Sequence, residues 1–123
     1  MEENFPTNFA HHLACAVRIA HHISGRVRLK LIDDSHLRAS EKLDVKTIGK
    51  NLPYIMRQLE NILGIRSITV NLLARSCVVE YDVNLIPDSA WTDLLSEKNS
   101  PEARTLLDAL MSKSQEIRKE LTS

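Results

Sequence analysis

The sequence predicts an α+β fold, an antiparallel sheet with helices gathered on one face, and three observations carry that prediction. From Arg26 to Leu31 the residues alternate strictly, with Val27, Leu29 and Leu31 on one side and Arg26, Arg28 and Lys30 on the other, the period of a half-buried strand. From Val45 to Ile62 the apolar spacing turns helical, and from Ile68 to Tyr81 it alternates again in two short runs. After Asp88 only helical spacing follows. A sheet that buries one face needs a cover, and helices on that face supply it.

Residues 1–15 form an N-terminal extension in which Thr7 or Asn8 caps a short helix carrying Phe9 and Leu13. Two readings stand for the next stretch. A helix continuing to Ile23 and stopped by Gly25 would place His11 and His22 on one face, because eleven residues make about three turns. Against it, Val17, Ile19, His21 and Ile23 share the odd-numbered phase of Val27, Leu29 and Leu31. We take a strand from Val17 to Ile32, interrupted near Ser24-Gly25, where a residue without Cβ allows a bulge or bend. Asp33 to His36 reads as a turn and Leu37 to Leu43 as a loop. Asp44 then caps a helix holding Val45, Ile48, Leu52, Ile55, Met56, Leu59 and Ile62. Pro53 predicts a kink or restart in it, and Gly64 a left-handed cap after it.

Ile68 and Val70, a connection over residues 71–75, then Cys77, Val79 and Tyr81 make an antiparallel hairpin. Asp88 or Ser89 caps a helix with Trp91, Leu94 and Leu95, and Pro101 opens a last helix to about Leu121. No fourth strand is expected after Trp91. The order strand, helix, strand, strand, helix, helix is that of split βαβ units of the ferredoxin-like kind, here with an additional C-terminal helix. The expected organisation is an extension over 1–15, the ferredoxin-like domain over 16–95 and a helical extension over 96–123.

Composition narrows the function. Lys plus Arg and Asp plus Glu number 16 each, so no net field draws the chain onto nucleic acid or an anionic membrane. No apolar run approaches the roughly 20 residues that span a bilayer. The acidic start Met1-Glu2-Glu3 lacks the pattern of a secretory signal, which predicts a cytoplasmic protein. Cys15 and Cys77 are too few for a disulfide framework. A Gly-rich phosphate loop, Gly-x-Ser-x-Gly and His-Glu-x-x-His are all absent, so no enzyme is expected. The row Arg18, Arg26, Arg28 and Lys30 reads first as a solvated strand face and second as a stripe for phosphate or an acidic partner.

The segment Ile19 to Leu29, with Leu63-Gly64-Ile65-Arg66-Ser67-Ile68-Thr69-Val70-Asn71 and Ser76-Cys77-Val78-Val79-Glu80-Tyr81-Asp82 after a helix, resembles the second type of heavy-metal-associated domain. The resemblance covers roughly residues 17–95, with His21 at that family's histidine position and Ser24 where Pro is usual. It implies a role in metal homeostasis, with a metal transporter as a protein partner. The Met-x-Cys-x-x-Cys loop of ordinary heavy-metal-associated domains is absent.

The residues themselves nominate His11, His12, His21, His22 and Cys15 as metal ligands, with His36 further along. Imidazole suits zinc, copper, nickel and iron, and thiolate adds a preference for zinc or copper(I). Haem needs only two convergent imidazoles and an apolar slot. In a strand His21 and His22 point to opposite faces, so a site needs His11 or His12 to fold back, or a second subunit. The expected function is a non-enzymatic module that binds or delivers a transition metal or haem. The alternative is an adaptor that homodimerises through a sheet edge or the C-terminal helix.

Overall fold

The computed structural model describes residue 11 and residues 14–32 and 52–122. In them the alternating stretches form four strands, β1 (Val17–Ile23), β2 (Arg26–Leu31), β3 (Ile65–Asn71) and β4 (Ser76–Tyr81). The helical stretches form α1 (Leu52–Glu60), α2 (Asp88–Leu95) and α3 (Pro101–Thr122). The strands make one antiparallel sheet in the order β1-β2-β4-β3. The α+β class holds, and the arrangement is consistent with a ferredoxin-like fold: β2, α1, β3 and β4 are a split unit with β4 lying between β2 and β3.

The front of the chain differs from expectation in one respect. Val17 to Ile32 is two strands folded back on each other, because Ser24-Gly25 reverses the chain and Ile23 pairs with Arg26. Gly25 stands at φ +81°, a conformation open to glycine and costly for other residues, so the turn closes in two residues. No strand follows Trp91 among the described residues, as expected, and β1 takes the edge place beside β2. A helical turn over residues 14–16 leads straight into β1. The expected N-terminal cap at Thr7 or Asn8, Phe9 and Leu13, the turn and loop over 33–43, and the helix start at Asp44 lie outside the described residues.

Both edge strands are bulged, β1 between Ile19 and His21 and β3 between Ile65 and Ser67. Such irregularity twists an edge away from pairing with another strand. Pro53 sits in the first turn of α1, where its missing N–H has no carbonyl to reach. Gly64 adopts φ +99° as the predicted left-handed residue, and a Cβ there would lie 2.8 Å from Ile86 Cγ1.

The helices cover one face of the sheet. Val27 and Val79 of the two central strands meet Trp91 and Leu94 of α2 and Ala103, Leu106 and Leu107 of α3 in a single core. The apolar stripe of α3 is thus consumed by its own domain, Ile117 included at 6% exposure. No described helix is long and apolar enough to cross a membrane.

Candidate functional site

The pair His21-His22 lies on β1, and its two rings face opposite sides of the sheet, as strand geometry requires. Which ring faces in is decided by the bulge. Val17 and Ile19 pair with Leu31 and Leu29 on the helix side; after the extra residue His22 stands opposite Val27 and His21 opposite Arg28. The odd-numbered phase that joined His21 to Val27 in the sequence is therefore broken by one residue, and His22 takes the inward place.

On the inner side His22 Nε2 lies 2.7 Å from the Tyr81 hydroxyl, and that hydroxyl donates to Asp88 Oδ1 at 2.5 Å. With the tyrosine proton committed to the carboxylate, His22 carries its proton on Nε2 and donates it. The Gly25 N–H donates to the same carboxylate oxygen at 3.0 Å. Asp88 or Ser89 is the cap that the sequence predicts for α2. Instead Pro87 holds the cap position, and Asp88, the first helical residue, turns its carboxylate to the hairpin. The hydrogen bond from Tyr81, then those from Gly25 N–H and the Ser24 side chain, hold the Asp88 carboxyl below the usual carboxylate range. Tyr81 is only 2% exposed, and burial, followed by the hydrogen bond to Asp88 and its charge, pushes its hydroxyl above the ordinary tyrosine range. These groups clasp the β1–β2 turn to the start of α2. Sequence reasoning missed Tyr81 and Asp88 as partners of His22, since nothing local in either segment signals the other.

Of the other nominated ligands, His11 Nδ1 lies 3.2 Å from Glu97 Oε1, and its Nε2 lies 3.6 Å from Cys15 Sγ. Glu97 follows the C-terminal end of α2 and Asp88 begins it, so His11 with Cys15 and His22 occupy opposite ends of a helix about 12 Å long. His12 and His36 lie outside the described residues. Among the described residues no group of three His, Cys, Asp or Glu side chains is placed to hold a metal ion.

On the uncovered side His21, Ile23, Arg26, Arg28 and Val78 line a shallow recess of about 220 Å³. His21, Arg28 and Val78 lie in one cross-strand row. Arg18 and Lys30 extend the cationic surface along the hairpin, and Lys30 Nζ is anchored to the Ala74 carbonyl at 2.8 Å. Glu80 answers it in part, lying 3.9 Å from Arg26 and accepting from Ser67 at 3.2 Å. Two other recesses, one of about 380 Å³ that is mainly apolar and one of about 150 Å³ that is wholly so, have no histidine in their lining among the described residues.

Fold and site together define a small α+β sheet domain with one face covered by helices and a cationic strip on the other. No protein-family model matches the chain, and no curated protein or solved structure is detectably similar to it.

Proposed function

We propose that this chain is a non-catalytic interaction module whose uncovered sheet face docks an acidic polypeptide segment. The observation that carries this reading is the row His21, Arg28 and Val78 with Arg18 and Arg26 beside it, a cluster of cationic groups around a recess and a single acidic strand residue, Glu80, on the same face. Charge complementarity steers such a partner, and Ile23, 52% exposed, with Val78 offers it apolar contact. A protein partner suits the face better than nucleic acid. Tyr81 and Trp91 are buried on the helix side and Tyr54 lies on α1, so the face has no aromatic stacking platform among the described residues. Edge-to-edge dimerisation is disfavoured by the two bulges, and docking through α3 by the burial of its apolar stripe. The metal or haem reading has less to support it, because the described histidines stand apart from one another.

The test is fluorescence anisotropy of a fluorescein-labelled peptide of alternating Glu and Leu, titrated with the full chain at low and moderate salt. Saturable binding that weakens with salt, and weakens about tenfold or more in Arg28→Glu, is the expected result. Absence of binding, an unchanged affinity in Arg28→Glu, or tighter binding of a single-stranded oligonucleotide would overturn the proposal.

A further inference from the structure

A second feature lies at the C-terminal end of α2 and does not depend on the cationic face. His11 and Cys15 are four residues apart, the spacing that puts two side chains on one face of a helix, and residue 11 and residues 14–16 are helical. His11 Nε2 lies 3.6 Å from Cys15 Sγ, and Nδ1 of the same ring lies 3.2 and 3.3 Å from the two carboxylate oxygens of Glu97. An ionised carboxylate only accepts, so in the neutral ring Nδ1 carries the proton and Nε2 accepts from the thiol. The ring stands between thiol and carboxylate with one nitrogen for each, the order of a nucleophile, its base and the group that orients the base. The same order explains why the three do not chelate: a ring that uses its two nitrogens on two different partners does not bring all three to one metal ion.

The backbone of Glu97 is an independent observation at the same place. Glu97 follows α2 with φ +61°, the left-handed conformation that ends many helices and that glycine usually occupies. Its N–H donates to the Leu94 carbonyl at 3.1 Å and the Lys98 N–H to the Asp93 carbonyl at 2.8 Å, the two bonds of such an ending. A residue with a Cβ is strained there where glycine is not, and strain of this kind gathers at functional positions. What the strained residue contributes is the carboxylate that meets His11.

The geometry points to Cys15 as a nucleophilic thiol that exchanges with a small disulfide and so takes up a low-molecular-weight thiol, with His11 as its base and Glu97 as the residue that positions His11. As Cys15 Sγ attacks one sulfur of the disulfide, its proton passes to His11 Nε2. The new S–S bond forms while the old one breaks, and the departing sulfur takes the proton from His11 and leaves as a thiol. The Cys15 sulfur is oxidised and the departing sulfur reduced, so the exchange needs no other oxidant. Disulfide exchange asks no more of a site than a thiol, a base and access, whereas acyl transfer needs donors for an oxyanion as well. The product stays a mixed disulfide, because Cys77, the other cysteine, packs against the core and burial pushes its thiol up, which makes it a poor resolving group.

The test is the rate at which glutathione disulfide modifies Cys15 of the full chain at neutral pH, followed by intact mass and located by peptide mapping. Cys15 is expected to react about tenfold or more faster in the folded chain than in the chain unfolded in urea. His11→Ala should fall to the unfolded rate, and imidazole added to the solution should restore part of the loss. Glu97→Gln should lower the rate while the chain stays folded. Glu97→Gly separates positioning from a structural role: it relaxes the backbone, so the thermal midpoint rises by a few degrees while the exchange rate falls to that of Glu97→Gln. A folded rate no greater than the unfolded one, or a rate unchanged in His11→Ala, overturns the nucleophile and its base. Glu97→Gly that exchanges as fast as wild type, or melts below it, overturns the role of Glu97.

Discussion

Removing one oxygen atom tests the clasp that sets the hairpin against α2. Tyr81→Phe keeps the ring, which packs 5.4 Å from Trp91 centroid to centroid, and deletes only the hydroxyl that joins His22 to Asp88. A neutral hydrogen bond contributes about 1 kcal/mol net and one to a charged group about 1.5–3 kcal/mol. Asp88 keeps the Gly25 N–H, and its side chain is 41% exposed, so water replaces much of what it loses. His22, with a side chain only 18% exposed, recovers less. The expected cost of losing the Tyr81 hydroxyl is therefore about 2 kcal/mol, just below what the two bonds would contribute together, because water replaces part of what Asp88 loses. At about 2.1 cal/mol/K of unfolding entropy per residue over 123 residues, that lowers the thermal midpoint by about 8 °C.

The pH dependence supplies a second arm. Because the folded Tyr81 hydroxyl is raised, its contribution is complete below the unfolded tyrosine value and declines as pH climbs past about 10, where unfolded tyrosine ionises first. Asp88 works in the opposite sense: its lowered carboxyl contributes above the ordinary carboxylate range and ceases to as pH falls through its folded value. Circular-dichroism melts from acid to alkaline pH should show the wild type losing stability at both ends and Tyr81→Phe losing less at the alkaline end. A midpoint within about 2 °C of wild type, with an unchanged alkaline limb, would refute the clasp as a source of stability.

Two further outcomes follow from the same packing. Gly64→Ala should destabilise by about 2–3 kcal/mol in urea titrations, from its positive φ and the 2.8 Å approach to Ile86; Gly25→Ala, whose added Cβ meets nothing nearer than 3.4 Å, should cost about half as much, and a reversed order would contradict this account. Iodoacetamide should modify Cys15, half-buried beside His11, well before Cys77, whose thiol burial has raised, and peptide mass mapping showing equal rates would count against the placement of Cys77.

Much of the fold was legible because its signals are local. The alternation of Val27, Leu29 and Leu31, the helical spacing before Gly64, the hairpin over residues 71–75 and the start at Pro101 are each written within a few residues. Ser24-Gly25 was visible as a break, and Ser-Gly is a recognised turn pair, so the hairpin was within reach; a shared phase on both sides made a continuous strand look sufficient. The cationic row could be read from Arg26, Arg28 and Lys30, whereas the place of His21 within it could not.

The sequence by itself determined the periods, the punctuation and hence the α+β class, because backbone preference and side-chain alternation act between near neighbours. Tertiary structure alone decided that β1 folds onto β2 as the sheet edge, that a single extra residue near Ala20 turns His22 inward and His21 outward, and that Asp88 serves the hairpin instead of capping its own helix. Those outcomes depend on register and on groups 59 to 63 residues apart meeting in space, and residue spacing along a chain carries no record of either.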